Sequence, residues 1–412
     1  MTVTQLGLKQ NWQQFTLLVI VNGFVGGMVG LERSIIPQLA EEEFRLSSKS
    51  AILSFIVAFG CTKAVANYFT GRLANKFGRR NLLIIGWILA LPIPILLIYA
   101  HSWSWVICAN ILLGLSQGIT WSSTVVMKID LVGNKQRGLA MGINEFAGYL
   151  SVGIVAFLTG FIAEKYGIRP YPFYIGIGLS ILGLLLSVIW IKDTNPFVVK
   201  EAHTSTIENR KGVFWATTLR NKTLSAVTQA GLVNNLNDGM MWGLLPILLV
   251  QIGFNNKNIG IITAIYPTIW GVGQLITGKL SDIYSKKLML VWGMFLQGIA
   301  IIFLIFSNNF YVFMTLSTLL GIGTALVYPT FLSTIAHYTN PSQRAESLGT
   351  FRFWRDMGYA LGAIISGIIA DIFGLRYSIL LIGVLTIFSA IIIQIRMTDR
   401  NSYYQSHPRL RK

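Results

Sequence analysis

Acidic side chains are the scarcest charged type in this chain: 16 Asp+Glu stand against 33 Lys+Arg in 412 residues, and all charged residues together make 12%. A soluble domain carries about 25%. So few charges cannot cover a water-facing surface, which excludes a soluble globular protein. Cysteine is nearly absent as well. Cys61 and Cys108 both fall inside apolar runs and read as small core residues, not as a disulfide. The four histidines, His101, His203, His337 and His407, are never three or four residues apart, so metal ligands on one helix face are missing and no metal is expected. The chain also lacks a phosphate-binding loop and a nucleophile elbow, so neither an enzyme nor a cofactor is expected. A net charge of +17 would suit a nucleic-acid partner only if the cations shared a polar surface. Here they punctuate apolar runs, and no nucleic acid is expected.

What the chain has is apolar length. Residues are 53% hydrophobic and include 40 Gly. A bilayer core takes about 20 apolar residues per helix, and twelve such runs occur, near 13–40, 51–70, 82–100, 106–127, 139–163, 172–191, 223–250, 259–277, 288–306, 310–335, 345–370 and 377–396. The first continues from Phe15 past Pro37, longer than the core of a cleaved signal, and reads as a retained span. With the N-terminus inside, cytoplasmic segments hold 23 of the 33 cations and outer segments six, which predicts a multi-pass protein of the cell (inner) membrane with both termini cytoplasmic. The partner implied throughout is the lipid bilayer.

The longest polar connection, 192–222, divides an N-terminal half, 1–191, from a C-terminal half with a short cytoplasmic tail, 223–412. The halves repeat. GRLANKFGRR at 71–80 answers GKLSDIYSKK at 278–287, an offset of 207 that also maps Gln136, Arg137 and Gly142 onto Gln343, Arg344 and Gly349. Internal duplication of this kind is common among secondary transporters, whose site lies between repeats near the midplane.

These residues resemble the major facilitator superfamily over essentially the whole chain. The family's loop between spans 2 and 3 reads Gly, any residue, Leu, Ala, Asp, Arg/Lys, any residue, Gly, then two cations. Gly71, Leu73, Ala74, Lys76, Gly78, Arg79 and Arg80 match it, Asn75 replaces the acid, and the second copy keeps it as Asp282. The resemblance implies an all-α membrane fold of twelve transmembrane helices in two pseudo-symmetric six-helix bundles. It also implies that this loop controls conformation, the acid facing a helix N-terminus and nearby cations, so Asn75 implies a weaker or differently controlled lock. Two drug-exporter signatures are altered. Gly114 stands where an Arg precedes Gln117-Gly118, and 144–153, NEFAGYLSVG, lacks proline.

Eight charges lie within spans: Arg33, Lys63, Arg352 and Arg355 against Glu32, Glu145, Asp238 and Asp356. A charge there is costly unless paired or wet, so each reads equally as half of a packing salt bridge or as a functional group. Spans 1 and 7 line the cavity in proteins of this family, which singles out Glu32 and Asp238 for proton coupling, with Glu145 a third candidate. Asn234 and Asn235 share the helical face of Asp238. Arg33, Asn110, Gln117 and Trp121, with Tyr266, Trp270 and Gln274, are further candidates for the substrate cavity. Lys63, Arg352, Arg355 and Asp356 form an expected interdomain charge cluster, either an internal lock or a site for an anion. The expected function is proton-coupled export of a small amphipathic compound by a monomer working through alternating access. Transport of a small organic anion is the alternative, and a transport-inactive sensor or scaffold is the alternative of another class, which the short tails disfavour.

Overall fold

The computed structural model describes residues 5–33, 35–36, 39–40, 43–46, 49–133, 136–203, 207–209, 211–254 and 256–398. Helix accounts for nearly all of them. In chain order α1 spans Trp12–Arg33, α2 Lys49–Phe77, α3 Arg79–Ala90, α4 Pro92–Ile98, α5 Trp103–Val132, α6 Arg137–Tyr166, α7 Tyr171–Ile189 and α8 Asn195–His203. Then come α9 Lys222–Ile252, α10 Asn256–Ile283, α11 Lys286–Leu304, α12 Phe310–Tyr338, α13 Arg344–Phe373 and α14 Leu375–Arg396. Helix is the form that satisfies every backbone donor and acceptor within one segment, as lipid requires. α3 and α4 are one span interrupted where Pro92 and Pro94 withdraw their N–H groups. Counted so, twelve long helices follow the twelve apolar runs among the described residues, and nine are long and apolar enough by themselves to cross a membrane.

Two compact units result. Unit 1 comprises Met1–Lys135, Ile143–Asn209 and Asn340–Asp356, and unit 2 comprises Gln136–Gly142, Arg210–Thr339 and Met357–Lys412. Each therefore includes the first turns of a helix whose remainder is in the other unit's sequence. The packing partners repeat from unit to unit. In unit 1, α5 lies against α1, α2 and α3, and α7 against α1 and α3; in unit 2, α12 lies against α9, α10 and α11, and α14 against α9 and α11.

The repeated glycines make one close crossing per unit. In unit 1 a Cβ on Gly71 would stand 2.3 Å from the Ala345 carbonyl oxygen, and one on Gly349 would stand 2.6 Å from that of Asn67. In unit 2 a Cβ on Gly142 would stand 2.3 Å from the Gln274 carbonyl oxygen, and one on Gly278 would stand 2.7 Å from that of Gly138. Only glycine lets two backbones approach so closely. The offset that carries Gly71 onto Gly278 and Gly142 onto Gly349 thus carries one crossing onto the other.

Phe157, Ile276, Phe306 and Ile395 are exposed apolar side chains, of a kind suited to lipid. One expectation is corrected here: Cys108 is not a core residue but an exposed thiol on α5, while Cys61 is half-buried, and both are free. A small thiol is apolar enough to face lipid as readily as protein.

Candidate functional site

In unit 1 the interior of α2, α5, α6 and the first part of α13 is polar. Asp356 is fully buried and accepts from Arg355 Nε at 2.8 Å and from Asn67 Nδ2 at 2.6 Å, while Lys63 Nζ stands 4.0 Å from its Oδ2. Ser122 donates to the Asn67 side-chain oxygen, which fixes the direction of that amide. A second buried acid, Glu145, collects three donors on Oε1: Asn144 Nδ2 at 2.8 Å, Trp121 Nε1 at 3.2 Å and Arg352 Nη2 at 3.5 Å. The ammonium of Lys63 lies 5.4 Å from the centre of the Trp121 ring, a distance at which the ring face attracts a cation. The expected charge cluster of Lys63, Arg352, Arg355 and Asp356 is thus one assembly, with Glu145 and Trp121 joined to it.

A second cluster of unit 1 surrounds Asp130, near the end of α5. Arg79 Nε lies 3.2 Å from Asp130 Oδ2 and Arg344 Nη1 lies 3.4 Å from Oδ1, while Thr194 donates to Oδ2 at 3.0 Å. Arg344 also pairs with Glu201 of α8 at 2.9 Å. Asn75 belongs here: it accepts from Arg79 Nη2 at 2.9 Å and donates to the Ser342 carbonyl at 2.5 Å, just before α13. Arg80 donates to the Val188 carbonyl, and Gly78 makes its turn at φ 81°, a value only glycine adopts without strain. Neither Asp130 nor Glu201 was among the sequence candidates.

In unit 2 the matching loop keeps its acid. Asp282 accepts from the backbone N–H groups of Gly138 at 2.7 Å and Leu139 at 2.9 Å, two of the donors that the first turn of α6 cannot satisfy by itself. The helix dipole favours a carboxylate at that end.

Deeper in unit 2, Asp238 of α9 is fully buried and receives the hydroxyl of Tyr266 on α10, with the hydroxyl of Tyr359 on α13 at 3.4 Å from its other oxygen. Thr324 donates to the Tyr266 oxygen at 3.5 Å. Asn234 and Asn235 lie one turn earlier on α9, both buried, joined side chain to side chain at 3.4 Å. Tyr266 stacks on Trp270 with ring centres 5.9 Å apart, and Trp270 meets Tyr328 at 5.1 Å. Gln274 completes this face of α10 with both side-chain polar atoms buried and without hydrogen-bond partners among the described residues.

The remaining candidates line α1 and α5 in unit 1. Glu32 is 3% exposed, and among the described residues no donor bonds either carboxylate oxygen, although Asn110 stands beside it. Asn110 donates to the Val106 carbonyl instead. Gln117 donates to the Val25 carbonyl at 2.7 Å, and among the described residues its own oxygen has no donor. The side chain of Arg33 lies outside those the structure describes.

A duplicated, all-helical bundle with buried charge at the helix crossings is the frame of a membrane transporter, and a family model bears this out. The model described as Major Facilitator Superfamily matches residues 15–230 and again 227–409, so the chain belongs to that family. It is therefore a multi-pass membrane transporter acting on small molecules. Over 164 residues, 40% of this chain and 42% of the relative, it is 30% identical to the uncharacterized MFS-type transporter MJ1560 of Methanocaldococcus jannaschii. Over 397 residues, 92% of this chain and 94% of the relative, it is 28% identical to the multidrug resistance protein MdtG of Escherichia coli strain SMS-3-5. The human organic anion transporter MFSD10 (TETRAN) shares the fold, with a TM-score of 0.76 over 93% of this chain and 99% of that one at 15% identity.

Proposed function

We propose that this chain is a secondary active transporter that exports a small amphipathic compound in exchange for protons. It works as a monomer in the cell (inner) membrane, both termini cytoplasmic, by alternating access of the halves 1–191 and 223–412 about the cytoplasmic linker 192–222. The observation that carries the reading is the setting of Asp238. Its carboxyl is shielded from water and held by the hydroxyls of Tyr266 and Tyr359. A phenol can donate to a carboxylate or accept from a carboxylic acid, so this cradle fits both protonation states. A coupling site needs that property, because its proton must come and go while the fold persists. Glu145 and Asp356, by contrast, are engaged by guanidinium groups. Glu32, whose oxygens carry no donor among the described residues, is the second proton candidate. Export is favoured over import by the full-length relatives named for multidrug resistance.

The test is flux in everted membrane vesicles containing the protein, with an imposed interior-acid gradient and a panel of amphipathic reporters. Uptake of at least one reporter that collapses when an ionophore dissipates the gradient is the expected result. Uptake that persists without the gradient, or that follows a sodium gradient instead, would contradict proton coupling.

A further inference from the structure

Two clusters of unit 1 differ in how their cations are matched. Around Asp130, each guanidinium, that of Arg79 and that of Arg344, meets a carboxylate. In the deeper cluster Arg352 meets Glu145, while Arg355 and Lys63 meet Asp356. Lys128 does not share in this. Its side chain is fully buried, yet its Nζ makes a single hydrogen bond, 2.5 Å to the amide oxygen of Asn144, and no ion pair among the described residues. Glu145 and Arg352 are the charged groups close enough to act on it, and neither is an ion-pair partner.

The acceptor is neutral and rigidly set. Asn144 donates its own amide to Glu145 at 2.8 Å, and its backbone carbonyl accepts from Asn22, which in turn accepts from Thr124 at 2.8 Å. Lys128 is therefore held in place by groups that cannot neutralise it. An ammonium has three donors and a full charge, and a buried charge persists where something supplies a counter-charge and acceptors. Among the described residues of this cluster four cations, Lys63, Lys128, Arg352 and Arg355, stand against two acids, Glu145 and Asp356, so positive charge is in excess and the group that would balance Lys128 is an oxyanion.

We propose that Lys128 anchors the acidic group of the transported compound, a phosphonate, phosphate, sulfonate or carboxylate, so that the amphipathic substrate is an anion. This rests on the export reading and narrows its substrate class. Arg352, close enough to act on Lys128, would be a second positive group for that anion, and the Trp121 ring, bonded through Nε1 to Glu145, is an apolar surface of the same cluster. Arg supports bidentate contact with such an anion, and Lys acts as a point charge.

The test uses purified full-length protein in a neutral detergent and three probes: phenylphosphonate, benzyltrimethylammonium of similar shape and opposite charge, and inorganic phosphate. Phenylphosphonate should raise Tm saturably in the unaltered protein and benzyltrimethylammonium should not. Lys128→Met should weaken the phosphonate affinity by about thirtyfold or more. In the absence of probe the same variant should be the more stable protein, because it removes a buried charge without a counter-ion. Lys128→Arg should keep most of the affinity. Equal stabilisation by the two organic probes, unchanged phosphonate affinity in Lys128→Met, or a lower Tm of that variant without probe would each overturn the proposal. Stabilisation by inorganic phosphate alone would reduce the site to an adventitious ion only. Gradient-driven export of a cationic amphipath by a protein indifferent to phenylphosphonate would sink this inference and leave proton-coupled export standing. Phosphonate binding through Lys128 without any gradient-driven flux would do the reverse.

Discussion

Asp130 in unit 1 and Asp238 in unit 2 are both shielded carboxylates within long helices, 1% and 0% exposed, and they are held by different chemistry. Two guanidinium groups and a threonine hydroxyl hold Asp130. Tyrosine hydroxyls hold Asp238. An acid clamped by fixed cations is a structural joint, since removing its charge strands its partners. An acid held by hydroxyls can lose or gain a proton with its hydrogen bonds intact. The two copies of the glycine loop differ in where the acid sits. In unit 2 the loop acid itself, Asp282, sits on the first turn of α6. In unit 1 the loop has Asn75, and the negative charge comes from α5, where Asp130 reaches Arg79 of the same loop. The backbone crossing is the same in both units, while the acid stands on α5 in unit 1 and in the loop in unit 2.

The largest effect tests what the two units share. Gly349→Leu and Gly142→Leu each push a side chain into a backbone carbonyl at its crossing, and each should cost at least about 3 kcal/mol or prevent folding. Thermal unfolding in detergent should find the two losses alike. A severe loss in one and none in the other would break the equivalence of the crossings.

Next comes Asp130→Asn, which leaves Arg79 and Arg344 with one carboxylate, Glu201, between them. The expected cost is about 3–5 kcal/mol. Adding Asn75→Asp to that variant should recover part of the loss, because Arg79 already bonds the residue at 75. Strictly additive losses would show that the charge cannot return to the loop. Asp282→Asn is expected to be milder, up to about 2 kcal/mol, since an amide oxygen still accepts one backbone N–H while the charge facing the helix dipole is lost.

The fold was legible because a bilayer forces each crossing to announce itself as an apolar run, and because Gly71, Gly142, Gly278 and Gly349 recur at one offset. The charge cluster of the candidate site was legible where a charge interrupts such a run: Lys63, Glu145, Arg352, Arg355 and Asp356 stand out against apolar neighbours and meet in unit 1. Lys128 and Asp130 did not stand out. They follow Met127, where the apolar run of the fourth span ends, and charges just past a span end are ordinarily solvated. Here α5 continues to Val132, and Arg344, Glu201 and Asn144 close over its end, contacts between residues far apart in sequence. Asn75 could be read as a missing acid, but nothing in the loop tells that Asp130 supplies the charge. The sharing of first turns between units, α6 with unit 2 and α13 with unit 1, likewise has no local signal.

The smallest effect on stability belongs to the residue with the largest expected effect on transport. Asp238→Asn keeps an oxygen for the tyrosine hydroxyls and should cost about 1 kcal/mol or less. The decisive measurement reconstitutes this variant and the unaltered protein in proteoliposomes and compares, for one transported reporter, uphill flux driven by a pH gradient with exchange at equal pH. The prediction is that Asp238→Asn abolishes uphill flux and retains exchange, with folding intact. Undiminished uphill flux across the pH range would contradict the account and move the proton site to Glu32.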